Sequence, residues 1–249
     1  MGVTMKYLAF ALMLLLLTKT TTLASQEILI NIGPNGFPPF MIKEEGKPPS
    51  GIMLEVLQKI ASKYNYIVRA VEVPKKREVL QTESGEINAN PIAKEWVPNP
   101  ENYEFTDVII EVRDVLFSSI SHPLKYDEIE DLFGKIIGTH LGYKYPMLDF
   151  HFEDNIIQRS DNNSEKSMLA MVLMMRTDAA IVNEIVGKWL IKKKPDWHGK
   201  FNISKKDVGG FGYRIMFNKS WKPFVTKFNQ ELSAMKKNGE LERIISKYR

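Results

Sequence analysis

Several loops of this chain carry side chains that can hold a small charged solute without covalent chemistry. Arg77 is the only arginine between residues 70 and 112, and it follows Pro74 at a predicted helix start. A guanidinium there can bind a carboxylate through two parallel hydrogen bonds, and the alternative is a solvated helix residue. Trp96 lies in a predicted loop, where it either stacks on a solute or fills the core. Both residues are therefore candidates for solute recognition.

Two further loops carry polar candidates. Tyr143 and Lys144 precede Pro146, at the start of a helix that we predict near residues 143–151. Backbone N–H groups at a helix start attract anions, so this segment favours an anionic contact, with a packed tyrosine and a surface lysine as the alternative. Asn183 follows a predicted strand, and its amide can hydrogen-bond a solute or cap the next helix.

The residues needed for the commonest catalytic and metal sites are missing from the sequence. The 249 residues contain no cysteine, which excludes disulfides, thiol catalysis and cysteine-ligated metals. The four histidines lack the spacing of metal ligands, and there is no phosphate loop, nucleophile elbow or Ser/His/Asp arrangement. We therefore predict no catalytic residue, no metal and no cofactor.

The first residues of the chain predict export. Lys6 is followed by an apolar run, residues 8–17, that is too short to cross a bilayer. Thr22 and Ala24 are the small residues of a signal-peptidase site. We predict a cleavable signal peptide over residues 1–24 and a periplasmic location for the remainder. Cleavage removes two lysines and no acid, so the net charge falls from +4 to +2, too little to predict nucleic-acid binding.

Strands and helices alternate along the rest of the chain, as is typical of an α/β fold. Alternating or β-branched apolar residues predict strands, and apolar residues at helical spacing predict helices. The predicted strands are 28–32, 66–73, 108–110, 115–117, 135–139, 155–158, 178–182 and 211–217. The predicted helices are 52–64, 77–84, 143–151, 164–176, 183–193, 221–238 and 240–248. This order predicts mostly parallel sheets with helices on both faces.

Five motifs follow one another in a recognisable order. They are Phe37 to Phe40 with Gly51 to Val56, Glu83 to Asn88, Gly134 to Tyr143, Arg176 to Ile181 and Phe228 to Tyr248. The first is similar to the opening aromatic-x-Pro-Phe … Gly-Phe-Asp-x-Asp-Leu of family 3 of the bacterial extracellular solute-binding proteins, the polar amino-acid-binding type. The other four resemble later motifs of that family. The resemblance covers the whole chain after the predicted signal peptide.

The resemblance implies the two-lobed, type II periplasmic-binding-protein fold, in which solute binds between the lobes. Each lobe would be a mixed, mostly parallel sheet flanked by helices, and two hinge segments would join the lobes. Lobe one would comprise residues 25–112 and 214–249, and lobe two residues 113–213. The crossings would fall near residues 112–116 and 209–212, where three glycines would allow the dihedral changes of a hinge.

The same resemblance implies where a solute would be contacted. The family's first aromatic residue contacts solute and its second packs in the core, which favours Phe37 as the contact and Phe40 as packing. The six candidate contacts are Phe37, Arg77, Trp96, Tyr143, Lys144 and Asn183.

Two departures from the family pattern concern the charges of the solute. Binders of α-amino acids usually have an aspartate, which holds the ammonium, where this chain has Asn183. They also have an arginine for the α-carboxylate, and the matching stretch 97–100 has none. A buried charge without a partner is costly. We therefore expect a solute other than a standard α-amino acid, unless Arg77 or Arg113 supplies a charge from another direction.

These inferences predict a monomeric extracytoplasmic receptor that captures a small polar or charged solute. Its partner would be the permease of an ABC transporter or a sensor protein, on a separate chain. One alternative is an enzyme on the same fold, similar to cyclohexadienyl dehydratase, with Glu55, Glu95 or Glu184 as the acid or base. Another is a degenerate binder that acts as an interaction module. We favour the receptor, which is not an enzyme.

Overall fold

The structure is a computed structural model that describes residues 26–248, so the signal peptide predicted over residues 1–24 lies outside the described residues. Its strands are β1 (Gln26–Asn31), β2 (Tyr66–Val71), β3 (Ala89–Ala93), β4 (Tyr103–Phe105), β5 (Ile110–Ser119), β6 (Ile136–His140), β7 (Gln158–Asn162), β8 (Ala179–Asn183) and β9 (Phe201–Asn218). Its α-helices are α1 (Ile52–Ser62), α2 (Glu78–Ser84), α3 (Asp149–Glu153), α4 (Glu165–Leu173), α5 (Glu184–Lys193), α6 (Lys222–Lys237) and α7 (Glu240–Ser246). None of these helices combines the length and apolar character that a bilayer crossing requires.

Most predicted elements are present within a few residues, and four predictions were wrong. The strands predicted at 108–110 and 115–117 are one strand, β5, and β9 begins ten residues before the strand predicted at 211–217. Strand β7 begins at residue 158, where the predicted strand ended, because Asn155 has a φ of 56° and turns the chain. Helix α3 has five residues instead of the nine predicted over 143–151.

The described strands lie in the order β2-β1-β3-β9-β5-β8-β6-β7, with β4 also paired to β9. On one side, β2, β1 and β3 are parallel and β9 runs antiparallel to β3. On the other side, β8, β6 and β7 are parallel and β5 runs antiparallel to β8. The long strands β5 and β9 pair with each other and so connect the two sides. This mixed, mostly parallel arrangement on each side is the predicted fold class.

The buried apolar residues form separate clusters on the two sides. The largest is built by β1, α1, α6 and α7, and it also takes in Val186 of α5. A smaller cluster around Ile92 and Met216 lies on the same side. Two further clusters, around Leu132 and Phe117, use residues from 115 to 208. The region where β5 and β9 pass from one side to the other, residues 110–116 and 207–213, is termed the junction.

The junction contains three glycines, Gly209, Gly210 and Gly212, and steric crowding explains two of them. None of the three has a positive φ, because all lie within strand β9. A Cβ on Gly210 would lie 2.4 Å from the carbonyl oxygen of Val112, and one on Gly212 would lie 2.6 Å from Val108. A Cβ on Gly209 would meet nothing within 4 Å. Gly210 therefore allows β5 and β9 to approach closely, and Gly212 leaves room for the side chain of Val108.

Another glycine gives a direct test of packing on the second side. A Cβ on Gly187 of α5 would lie 2.3 Å from the ring of Phe117, which is fully buried. We expect Gly187→Ala to lower the free energy of unfolding by about 1 kcal/mol, because overpacking of about 1–3 kcal/mol exceeds the gain of about 1 kcal/mol in helix propensity. Urea unfolding measures the change. When Phe117→Leu is added, the double variant should lose less free energy of unfolding than the two single variants lose together. Strictly additive losses would contradict the contact.

Candidate functional site

Five aromatic rings form a continuous wall beside the junction. Phe37 stacks on Phe40 at 5.3 Å between ring centres, and Tyr213 meets both rings edge-on at 6.3 and 5.1 Å. Phe211 lies 5.8 Å from Tyr213 and 4.4 Å from Trp96. These five residues are termed the aromatic wall. Phe40 and Tyr213 are buried, whereas Phe37 and Phe211 are half-buried and Trp96 is 47% exposed, so three of the rings have surface left to meet a solute.

A buried asparagine fixes the two loops next to this wall. The Oδ1 atom of Asn31, at the end of β1, accepts hydrogen bonds from the N–H groups of Gly33 and Val73 at 2.8 and 2.9 Å. Its Nδ2 atom donates to Asn90 at 3.1 Å and to Glu78 at 3.4 Å. Asn31 therefore joins the loop that leads to Phe37 to the loop that leads into α2.

The second side contributes a loop that is held in place by an arginine. The guanidinium of Arg159 donates to the carbonyl of Tyr143 at 2.9 Å and pairs with Asp161 at 2.9 Å. The ring of Tyr143 stacks on His140 at 4.1 Å and is 44% exposed. Helix α3 begins only at Asp149, so Tyr143 and Lys144 lie in a loop and the predicted helix start beside them is absent from this part of the chain.

Strand pairing brings two polar residues together at the junction. Asp114 of β5 and Asn183 of β8 are direct partners in the antiparallel ladder, so their side chains lie on the same face of the sheet. Asp114 is half-buried, and its carboxylate has neither a hydrogen bond nor an ion pair among the described residues. The side chain of Asn183 caps α5, since its Oδ1 atom accepts from the N–H groups of Ile185 and Val186. Its Nδ2 atom is buried without a partner.

Burial and nearby charges raise the pKa of Asp114 and of two tyrosines. Desolvation, together with the negative charges of Glu165 and Asp207, raises the pKa of Asp114 to about 6. Burial, followed by the same Glu165 and then Asp114, raises the pKa of Tyr143 to about 12. Burial also raises the pKa of Tyr213, with smaller contributions from Glu78 and Tyr143. Burial is therefore the largest cause of all three shifts.

The remaining candidate contacts are exposed. Arg77 precedes α2 and has no ion-pair partner among residues 26–248. Lys144 is likewise exposed and unpaired within the described range. Neighbouring Lys75 pairs with Glu78 at 2.6 Å and lies 5.6 Å from the ring of Trp96. Lys75, which lies close to the aromatic wall, is therefore already paired with an acid.

The three glutamates considered for catalysis lie in different surroundings. Glu55 of α1 binds the C-terminal residues Lys247 and Tyr248. Glu184 pairs with Lys188 and with Arg113, at 2.6 and 3.3 Å. Glu95 is exposed in a short turn before Trp96. Within residues 26–248, no three histidine, aspartate or glutamate side chains are grouped closely enough to hold a metal ion.

Sequence reasoning missed Asp114, Glu165, Asn31 and Tyr213. Asp114 stands in the polar break between two short apolar runs, where local patterns predict a gap between two strands. An acid inside such a break, next to Arg113 and flanked by β-branched residues, was the available signal. Its register with Asn183 depends on pairing between distant strands, which local patterns do not define.

Comparison with known proteins agrees with this fold. The family described as "Bacterial extracellular solute-binding proteins, family 3" matches residues 30–249. The arginine-binding extracellular protein ArtP of Bacillus subtilis is 25% identical over 216 residues, which are 85% of this chain and 82% of ArtP. An arginine 3rd transport system periplasmic binding protein from Legionella pneumophila is similar in structure, with a TM-score of 0.68 and 19% identity over 90% of this chain and all of that one. A histidine kinase sensor domain with similarity to periplasmic binding proteins also gives 0.68, with 18% identity over 89% of this chain and 95% of the domain. The chain therefore belongs to family 3 of the bacterial extracellular solute-binding proteins.

Proposed function

We propose that this protein is an extracytoplasmic receptor whose two lobes close on a small polar or charged solute at the junction. The observation that carries the proposal is an aromatic wall at the junction, where the unpaired Asp114 lies opposite the buried amide of Asn183 on neighbouring strands. Apolar surface with a few convergent polar groups is the usual composition of a small-molecule site. The lobes would comprise residues 25–112 with 214–249 and residues 113–213, and β5 and β9 would be the hinge.

Within this proposal, Phe37, Trp96 and Tyr143 are the best-supported solute contacts, because each has exposed ring surface next to the junction. Asn183 can contribute its buried Nδ2 donor, which has no partner within residues 26–248. Arg77 and Lys144 would contribute as mobile charges at the rim of the site. The partner would be a permease or a sensor protein, to which the protein would bind as a monomer.

The solute would not be an α-amino acid held by the usual pair of charges. Arg113, which lies in the junction, is already committed to Glu184, to Asp207 and to the carbonyl of Lys205. The stretch 97–100 offers no arginine. The names of ArtP and of the Legionella protein indicate arginine as their solute. A site without the usual arginine and aspartate must hold arginine differently or hold another solute.

An enzyme on the same fold is the second candidate, and the half-buried, unpaired carboxylate of Asp114 favours it. Burial raises the pKa of this group to about 6, which suits a general acid or base near neutral pH. Asp114 is better placed for that role than Glu55, which is engaged by Lys247 and Tyr248. Chromatography that shows consumption of a bound solute would identify such an activity. Asp114→Asn would abolish that activity.

The proposal is tested by thermal unfolding of the mature protein in the presence of amino acids, amines, peptides and organic acids. A solute at 100 times its dissociation constant should add about 2.7 kcal/mol to the free energy of unfolding. We expect stabilisation by at least one solute and none by glutamate, glutamine or alanine. If no solute stabilises the protein, receptor function is contradicted. If glutamate, glutamine or alanine binds tightly, the proposed charge pattern is contradicted.

A further inference from the structure

A cavity lies at the end of β6 and β8 that points away from Asn183. Its volume is about 390 Å³, and it is lined by the loop after β5, the start of β6 and the loop between α4 and β8. Because β6 and β8 are parallel, this is the amino end of both strands, whereas Asn183 is the last residue of β8. Strand residues rise about 3.3 Å each, so roughly 16 Å separates Asp178 in the cavity from Asn183. The cavity is therefore distinct from the proposed solute site.

The charges that line the cavity are unbalanced. Lys135 and Arg176 both line it, and neither forms an ion pair with another of residues 26–248. Asp178 also lines it, but its carboxylate accepts the N–H of Ile136 at 2.7 Å and pairs with neither cation. Two cations and one carboxylate leave a net positive charge, which attracts an anion.

A buried hydroxyl at the same cavity has no partner. Thr177 is one of the lining residues and is only 4% exposed, and its Oγ1 atom makes no hydrogen bond to any residue that the structure describes. Buried polar atoms are nearly always hydrogen-bonded in folded proteins. A hydroxyl can donate to the oxygen of an anion, so the group that Lys135 and Arg176 attract is also one that Thr177 can bind.

The remaining lining residues are apolar, although water reaches them. Ile136 is 36% exposed and Met175 is 51% exposed, and Pro123 and Leu124 line the cavity with them. Met175 has a φ of 57°, the left-handed conformation in which a helix usually ends on glycine. A methionine is less favourable than glycine in this conformation. The chain therefore keeps an apolar side chain at the cavity at a cost in backbone conformation, and the apolar part of a ligand would cover it.

We infer that this cavity is a second binding site, which takes a small organic carboxylate. Lys135, Arg176 and the hydroxyl of Thr177 hold its carboxylate, and Ile136 and Met175 cover its apolar body. A volume of about 390 Å³ is sufficient for a single ring or a short chain. The inference does not depend on the solute that binds beside the aromatic wall.

NMR titration of the ¹⁵N-labelled mature protein tests the inference, with benzoate as the probe. Benzoate should shift the amide resonances of Leu124, Ile136 and Thr177 in a saturable way, with a dissociation constant on the order of 1–10 mM for so small a ligand. Benzyl alcohol has the ring without the charge, and inorganic phosphate has the charge without the ring. Each should bind at least about fivefold more weakly than benzoate, because each lacks one half of the recognition.

Three sets of substitutions assign the binding to the cavity. Thr177→Val should weaken benzoate binding about fivefold to tenfold without lowering the Tm, because the hydroxyl it removes has no partner in the free protein. Lys135→Gln combined with Arg176→Gln should weaken binding about tenfold or more. Lys166→Gln combined with Lys205→Gln is the matched control, since it removes the same charge from exposed positions outside the cavity, and it should change the affinity less than about twofold.

Met175→Gly separates ligand binding from a structural role. It should raise the Tm by a few degrees, because glycine accepts the positive φ, and weaken benzoate binding about threefold, because an apolar contact is lost. The inference is wrong if benzoate shifts only residues of the aromatic wall, or if Thr177→Val binds benzoate as tightly as the wild type. It is also wrong if benzyl alcohol or phosphate binds as tightly as benzoate. None of these results would affect the proposed receptor function.

Discussion

Asn31→Ala should lower the free energy of unfolding by about 3–4 kcal/mol, the largest loss expected from any polar substitution considered for this protein. Asn31 is buried, and its single amide satisfies two backbone N–H groups, those of Gly33 and Val73. It also donates to the buried side chains of Glu78 and Asn90. Each buried group left without a partner costs about 1–3 kcal/mol, and water entering the space offsets part of the sum.

Urea unfolding and hydrogen exchange would both report this change. Exchange should accelerate first at the N–H groups of Gly33 and Val73, because these lose their acceptor. Asn102→Ala is the matched control: Asn102 is exposed, its side chain makes no hydrogen bond among the described residues, and the effect should stay within about 0.5 kcal/mol. A loss below 1 kcal/mol for Asn31→Ala would show that the two loops do not depend on this amide.

Gly210→Ala should lower the free energy of unfolding by about 2–3 kcal/mol, whereas Gly209→Ala should change it by less than about 1 kcal/mol. The first substitution puts a methyl group 2.4 Å from the carbonyl oxygen of Val112, on the strand paired with β9. That oxygen belongs to the backbone and cannot rotate away as a side chain would. The second places a methyl group where nothing lies within 4 Å.

The two adjacent variants are controls for each other, because both exchange glycine for alanine in the same strand. Urea unfolding gives the stability of each, and titration calorimetry gives the affinity for any solute found. Gly210→Ala should also weaken solute binding, since β5 and β9 must separate or bend locally to accept the methyl group. Equal stabilities for the two variants would mean that the strands do not approach each other at Gly210 as described.

Local sequence patterns predicted the fold class because they report burial directly. The buried face of α1, from Ile52 to Ala61, shows helical spacing, and the buried strand β8 is a continuous apolar run. The first part of β9 was missed because Ser204 to Asp207 are polar and do not alternate. Ile203 and Asp207, at the two ends of this polar stretch, pair with Phe117 and Val115 of β5, which lies far along the chain.

The candidate site was only partly predictable for the same reason. Phe37 and Trp96 lie in predicted loops, where an aromatic side chain indicates a possible binding site. Phe211 and Tyr213 lie within a strand, where aromatic side chains are typical of the core. The expected helix after Tyr143 is replaced by a turn, in which Tyr145 donates its N–H to the side chain of Asp149 and Arg159 holds the carbonyl of Tyr143. Contacts of this kind depend on tertiary structure and leave no periodic signature.

The ladder between β5 and β9 is irregular at one place, with register shifts between Asp114 and Val115 and between Val115 and Phe117. An irregular ladder bends more easily than the paired stretches on either side of it. Any rotation of one half of the protein relative to the other would therefore bend the strands at this short stretch. Asp114 lies at the start of this stretch, so bending there would change the surroundings of its half-buried carboxylate.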